Sequence, residues 1–137
     1  MNSTLAVQKA VRRRLIDDPG VAAILGGRVH DNVPGDGPLP FATVGDIETR
    51  DWSTQTSRGH EHIAAIHVWT GGHGRRLALD AIDAIDVALA AGGLDAAPHR
   101  VVTVRTVFWT VLHDLENERY HGLVRLRIVT EDPREAT

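Results

Sequence analysis

The stretch His62–Trp69 reads HIAAIHVW, and it decides the fold. Successive side chains of an extended chain point to opposite faces. Here the two faces carry Ile63, Ala65 and His67 on one side, and Ala64, Ile66 and Val68 on the other. A strand that is apolar on both sides is typical of the middle of a sheet. We therefore predict a central strand over these residues.

A helix is predicted directly after this strand. Thr70–Gly74 breaks the strand, and the helix begins near Arg75. Its apolar residues recur at spacings of four, three and four, which is the period of an amphipathic helix. They form one stripe, Ala78, Ile82, Ile85 and Leu89. Three aspartates, Asp80, Asp83 and Asp86, lie away from this stripe, so the outer side of the helix is acidic.

The remaining strands are predicted at Phe41–Ile47, Val102–Leu112 and Tyr120–Val129. The last of them alternates Val124, Leu126 and Ile128 with Arg125 and Arg127. Asp114–Arg119 has the length of a hairpin loop, so the last two strands are expected to pair antiparallel. The crossover through the helix after Thr70 leaves open that one neighbouring pair is parallel.

Two helices are predicted at the N-terminal end. The first covers Thr4–Ile16, with Ser3 or Thr4 as its cap and an apolar stripe of Val7, Val11 and Leu15. The second is shorter, with Asp18 as its cap, Pro19 in its first turn and Gly26–Gly27 at its end.

This order of elements indicates an α+β fold, with a four-stranded, mainly antiparallel sheet and helices packed on one face. The 137 residues fit a single domain over 1–137, ordered over about 4–130, with a polar tail at 131–137. No run approaches the ~20 apolar residues of a membrane helix, so no membrane contact is expected. The absence of cysteine excludes thiol catalysis, disulfides and iron–sulfur sites.

Eight histidines raise the hypothesis of a metal site. In an extended chain His60 and His62 project from one face, but zinc needs at least a third ligand. His67 has the wrong parity to join them, so solvated histidines at a strand edge are the expected state. No metal and no cofactor are predicted.

Gly71–Arg76 follows a strand and opens a helix, as phosphate-binding loops do. The Gly-Lys-Ser/Thr ending of a P-loop and the spacing GxGxxG are both absent, and a tight turn explains the glycines. No nucleophile, base and orienting group stand together in the sequence, so no catalytic residue is predicted. The formal net charge of -3 also argues against wrapping of a nucleic acid backbone.

The sequence resembles the tail-completion, or tail-terminator, proteins of long-tailed bacteriophages and gene transfer agents. The resemblance covers Leu5–Val129, and its motifs stand in the family's order. They are a basic amphipathic first helix running into Asp17–Pro19, then AILGGRVHD at 23–31, a proline-rich loop leading to LPFATVG at 39–45, HVWTG at 67–71, and an alanine-rich helix ending at Leu89–Gly93. His67 departs from the small or aliphatic residue that is usual at this place.

The resemblance implies a structural, non-enzymatic α+β subunit without a cofactor. Family members form a ring, typically six-fold, that caps the tail tube and meets the head connector. The implied partners are therefore further copies of the chain, the tail tube protein and the connector protein. The implied location is the tail of a virion or phage-like particle that assembles in the bacterial cytoplasm.

A ring needs two different contact surfaces on each subunit. The candidates are the basic side of the first helix (Lys9, Arg12, Arg13), the acidic side of the later helix (Asp80, Asp83, Asp86), and Trp52 in the polar stretch Glu48–Gly59. Trp52 is expected either on a neighbouring subunit or tube, or folded back onto its own core. Arg125 and Arg127 are candidates for residues facing a DNA channel, with a solvated sheet face as the alternative.

Two other functions stay open. A head–tail neck protein of similar fold would differ only in its partner. A small metal- or nucleotide-binding enzyme would use His60 and His62 or the glycine-rich turn, and stoichiometric zinc in the purified protein would favour it.

Overall fold

The computed structural model describes residues 2–32, 37–72 and 74–133. These residues form three helices and five strands. In chain order they are α1 (Ser3–Asp17), α2 (Pro19–Leu25), β1 (Val29–His30), β2 (Phe41–Asp51), β3 (Gly59–Gly71), α3 (Arg76–Ala90), β4 (Arg100–Asp114) and β5 (Arg119–Glu131). Residues 33–36 of the predicted proline-rich loop, His73 of the glycine-rich turn and residues 134–137 of the predicted tail lie outside the described residues.

The sheet has the strand order β1-β2-β3-β5-β4, so β3 occupies the centre as predicted. The predicted count of four strands is wrong, because β1 adds a fifth through two residues, too few to show any alternation in the sequence. β1 pairs parallel with β2, Val29 opposite Ala42, and the other neighbours are antiparallel. The crossover through α3 produces no parallel pair, since β4 pairs with β5 rather than with β3.

The core lies between one face of the sheet and the helices. On α1 the stripe of Val7, Val11 and Leu15 is fully buried, and on α3 Ile82, Ile85 and Leu89 are buried. They meet the even-numbered residues of β3 and β5, namely Ala64, Ile66, Val68, Val124, Leu126 and Ile128. Each such large aliphatic side chain contributes roughly 1.5–3 kcal/mol through burial. The helices therefore cover one face, as predicted, and leave the other open.

The helix ends are set by capping residues, most of which could be predicted from the sequence. Asp18 caps α2 by accepting a 2.9 Å hydrogen bond from the Val21 amide, and Gly26 ends α2 at φ 59°. The predicted cap of α1 is wrong, because Asn2 takes that place and accepts from the Thr4 amide at 2.8 Å. Neither Ser3 nor Thr4 lies outside the helix, which starts one residue earlier than predicted.

β2 and β3 are longer than predicted, so the connecting loop is only 52–58 rather than 48–59. The added segments are polar, but their side chains pair across the two strands. Arg50 donates to Glu61, and Thr49 lies 2.8 Å from His62 Nδ1. Such cross-strand pairs stabilise a sheet without apolar alternation. Among the described helices, none is long and apolar enough to cross a membrane.

Candidate functional site

The open face of the sheet carries the odd-numbered residues of β3 and β5. The pairing sets Ile63 opposite Arg127, Ala65 opposite Arg125, and Trp69 opposite His121. Directly opposite residues of an antiparallel pair lie on the same face. None of the described helices covers these side chains, and most of them are half-buried rather than buried. This face is therefore one of the surfaces available for contacts with other proteins.

A carboxylate between two arginines lies on this face. Glu61 is only 4% exposed, and it accepts hydrogen bonds from Arg127 Nε at 2.7 Å and from Arg50 Nε. The hydrogen bond from Arg127 and then that from Arg50 lower the pKa of Glu61. The carboxylate is consequently ionised, and Arg127 is bound to it.

Trp52 covers the same two arginines. Its ring centroid lies 5.2 Å from Cζ of Arg127 and 5.7 Å from Cζ of Arg50. Such contacts between a guanidinium and an aromatic face are attractive. Trp52 thus folds back onto its own chain, but onto the open face and not into the core, and it stays 47% exposed.

A ring stack lies farther along the open face. His67 Nδ1 is 2.7 Å from His121 Nε2, and the Trp69 ring stacks on His121 at 3.9 Å between centroids. Burial is the main cause that lowers the pKa of both histidines. Neutral imidazoles donate at one nitrogen and accept at the other, so this pair satisfies itself. A Cβ on Gly45 would lie 2.9 Å from the His67 ring, which explains a glycine where the β2 backbone passes close to this histidine.

The predicted solvated state of the other strand histidines is wrong for His62. His62 is 0% exposed and is held between Thr49 Oγ1 at 2.8 Å and Thr130 Oγ1 at 2.9 Å. Burial lowers the pKa of His62 to about 4, so the imidazole is neutral. His60 points instead toward Asp132, with 3.4 Å between Nδ1 and Oδ1. Within residues 2–32, 37–72 and 74–133, no group of three or more His, Asp or Glu side chains could hold a metal ion.

The glycines before α3 have a structural explanation where they are described. A Cβ on Gly72 would lie 2.5 Å from the Glu118 carbonyl oxygen, so the backbone of this turn passes close to the β4–β5 hairpin. Gly74 has φ +99°, which other residues rarely adopt. α3 begins at Arg76 without a side-chain cap.

The basic side of α1 borders an open groove of about 890 Å³. Lys9, Arg12 and Arg13 line it together with the residues after α3, among them Gly92 and Asp95. Arg12 donates to the Val29 carbonyl at 2.9 Å, and Arg13 lies 3.1 Å from Asp17. Local acceptors therefore engage two of the three predicted contact residues, while Lys9 is exposed.

The three aspartates on the acidic side of α3 have two different surroundings. Asp80 lies 3.8 Å from Arg76. Asp83 and Asp86 line a small cleft of about 100 Å³ with Leu79, Ile82 and Trp109 of β4. Within one chain, the groove of Lys9 and the cleft of Asp83 have no lining residue in common.

Sequence reasoning missed β4, which carries more exposed large apolar residues than any other described element. It carries Val102, Val107, Phe108, Trp109 and Leu112, which are 44–56% exposed. These residue types predict burial, but β4 is the last strand of the sheet. The adjacent aromatic residues Phe108 and Trp109, which point to opposite faces, were the available signal. Arg125 lies beside this strand, with its Cζ 5.8 Å from the Phe108 ring centroid.

Comparisons with known proteins identify the family. Residues 9–131 match the family model described as tail completion protein gp17. The chain belongs to this family. The match covers most of the residues on which the sequence resemblance rested, and it confirms that resemblance.

Two solved structures are similar to the chain. A chain of the structure titled "Virion of native gene transfer agent (GTA) particle" is 28% identical, with 93% of this chain and 96% of that chain covered and a TM-score of 0.83. The structure of the bacteriophage SPP1 gp17 protein is 24% identical, with 91% and 88% covered and a TM-score of 0.61, and it supports the fold alone. None of the curated proteins matches the chain. The family and the virion neighbour indicate a structural protein of a phage or phage-like particle.

Proposed function

We propose that the chain is a tail terminator: it caps the tail tube of a phage or phage-like gene transfer agent and joins the tube to the head connector. The main support is the likeness to a chain of a gene transfer agent virion over 93% of this chain, at a TM-score of 0.83. Membership of the tail completion family agrees with this role. The chain has no enzymatic activity in this proposal.

The mechanism is complementarity of surfaces. One rim of the assembly copies the end of the tube, and the other rim offers nothing to which the tube protein can add. A homo-oligomeric ring, with six copies as the family's usual number, would present both rims. The exposed apolar residues of β4 support the idea of contacts with other chains, because large apolar patches on soluble proteins mark interaction sites.

The partners in this proposal are further copies of the chain, the tail tube protein and the connector protein. Assembly takes place in the bacterial cytoplasm, and the product remains in the tail of the particle. Arg125 is exposed on the open face, whereas Arg127 is bound to Glu61. If the open face lines the channel, Arg125 is the better of the two candidates for contact with passing DNA.

The experiment is a particle producer from which the gene for this chain is deleted. We expect tails of irregular length without heads in electron micrographs, and restoration by the intact gene. Tails of normal length that lack heads would contradict the capping role and would favour a neck protein. Zinc bound in stoichiometric amount to the purified chain would favour the alternative of a small metal-binding enzyme.

A further inference from the structure

β4 has one unpaired edge along its whole length. It runs for 15 residues and pairs only with β5, and within the described residues no other strand lies beside it. An exposed edge presents free backbone donors and acceptors, which soluble monomers usually cover or keep short. Here the edge is long and carries exposed apolar residues, among them Val107 and Trp109. Such an edge is suited to pairing with another strand.

On the other side of the sheet, part of β2 forms a second open edge. β1 pairs with β2 only at Ala42 and Thr43, so the second half of β2, residues 46–51, pairs on one side alone. This half of β2 carries Asp46, Glu48 and Asp51, which are all exposed. Among the described strands, the sheet therefore has two different free edges, one on each side.

The register of the sheet places one acidic and one basic residue, Glu48 and Arg105, in the same row across the strands. Glu48 is opposite Ile63, Ile63 is opposite Arg127, and Arg127 is opposite Arg105. Directly opposite residues share a face. Glu48 and Arg105 therefore both lie on the open face, Glu48 on β2 at one side of the row and Arg105 on β4 at the other. Both side chains are exposed.

Resting on the proposed function, we infer that β4 pairs antiparallel with residues 46–51 of β2 from a second copy of this chain, with Arg105 beside Glu48 of that copy. β2 and β4 run in opposite directions within the sheet, because each step from β2 to β3, β5 and β4 is antiparallel. Rotation about an axis along the strands keeps those directions, so β4 meets the next β2 antiparallel. Repetition of this contact continues the sheet from copy to copy and closes a ring.

The helix layer has matching charges at the same two ends. α3 contacts β4, and its Asp83 and Asp86 flank the exposed Trp109. α1 contacts β1 and β2 at the other edge, and on this side its half-exposed Arg12 donates to the Val29 carbonyl of β1. Opposite charges across a contact favour the correct partner and orientation. Contact between two β4 edges would instead bring the acidic sides of two α3 helices together.

The natural sequence contains no cysteine. Two introduced cysteines can therefore detect the contact between position 48 of one copy and position 105 of the next. Within one chain, Glu48 and Arg105 are three strand spacings or about 14 Å apart, too far for a disulfide. In the full-length E48C/R105C variant, oxidation or a short bismaleimide is expected to give a ladder of linked chains ending at the mass of the closed ring. The single variants E48C and R105C alone should give no ladder, and their mixture should give linked pairs only.

A linked dimer from R105C alone would overturn the inference, because it would show two β4 edges in contact. A ring in native mass spectrometry without any ladder from E48C/R105C would overturn it too. In that second case the proposed function would stand if the deleted producer still made headless tails of irregular length. Normal particles from the deleted producer would contradict the proposed function, whatever the cross-linking showed.

Charge exchange gives an independent measurement. R105E and E48R alone are expected to reduce the ring fraction in sedimentation at low salt at least several-fold, and the double variant R105E/E48R to restore it. R58E reverses an exposed arginine in the β2–β3 loop, outside β4 and residues 46–51, and should leave the ring unchanged. Failure of the double variant to recover, with folded single variants, would contradict the pairing of these two residues.

Discussion

Arg127 Nε lies 2.7 Å from the Glu61 carboxylate, and it links the two central strands on the open face. Arg50 approaches the same carboxylate from β2, so one anion joins three neighbouring strands. Trp52 covers both arginines. These contacts connect β2, β3 and β5 on the open face and hold the Trp52 ring against it, although that side chain stays 47% exposed.

Replacement of Glu61 by Gln should lower the stability of the chain and change its response to acid. The pKa of Glu61 is lowered in the folded chain, so its contribution is present above the unfolded value of about 4.3 and is lost as pH falls below it. Urea unfolding from pH 7 to 3 should therefore show a flatter acid limb for E61Q than for the wild type. Equal limbs in both proteins would contradict this role of the ion pair.

Acid should also destabilise the chain through His62. Its pKa falls from 6.5 to about 4 on folding. Between these pH values the imidazole is therefore protonated in the unfolded chain and neutral in the folded chain. The contribution of His62 to stability is complete above about pH 6.5 and declines as pH falls from there toward the folded pKa of about 4. H62Q should be less stable than the wild type at pH 7 but lose less between pH 6.5 and 4. A wild-type stability that is constant over this range would contradict the buried neutral imidazole.

The core is expected to depend on its central strands. Leu126 is fully buried among the side chains of α3 and β3, and L126A should lower the free energy of unfolding by about 2–5 kcal/mol. L115A removes the same atoms from a residue that is 75% exposed, and it should change stability by less than about 0.5 kcal/mol. Similar urea midpoints for these two variants would show that the assigned core is incorrect.

The last residue of β3, Gly71, and the first residue after it, Gly72, form a matched pair of glycines. A Cβ at Gly72 would lie 2.5 Å from the Glu118 carbonyl oxygen, whereas a Cβ at Gly71 would meet nothing within 4 Å. G72A should therefore destabilise the chain by about 1–3 kcal/mol, and G71A should be nearly neutral. Thermal unfolding of the two variants tests the approach of the turn to the β4–β5 hairpin. Equal melting temperatures would contradict that approach.

The basic side of α1 should contribute to assembly more than to folding. Lys9 and Arg13 are exposed, and neither donates to a buried group. K9E/R13E is expected to keep its melting temperature within a few degrees and to form fewer rings at low salt, with a smaller difference at high salt because salt screens charges. Arg12 is a poor site for this test, since it also bonds the Val29 carbonyl. Sedimentation identical to that of the wild type would remove the basic side from the list of contact surfaces.

Local patterns predicted the parts of the fold that depend on local physics. The stripe of Val7, Val11 and Leu15, the cap at Asp18 and the central position of His62–Trp69 are all present in the structure. Each depends on residues that are near in sequence. Even there, the cap of α1 went to Asn2, because several neighbouring polar residues compete for that position.

The features that the sequence did not predict depend on the order of the strands in the sheet. That order cannot be inferred from short sequence patterns. β1 consists of two residues, and its place beside β2 follows from the path of the chain. The exposure of Trp109 follows from the position of β4 at the edge, although its composition resembles that of a buried strand. The burial of His62 follows from Thr49 and Thr130 on two other strands. The candidate surface on β4 could therefore be recognised only in the assembled sheet.

In the function that we propose, this chain acts by its surface at the end of a tail tube. This role is tested most directly by electron microscopy of tail tubes assembled from purified tube protein with the purified chain added during growth. We expect shorter tubes of limited length, each with extra density at one end. Tubes of unchanged length without that density, or with the chain distributed along their sides, would contradict it.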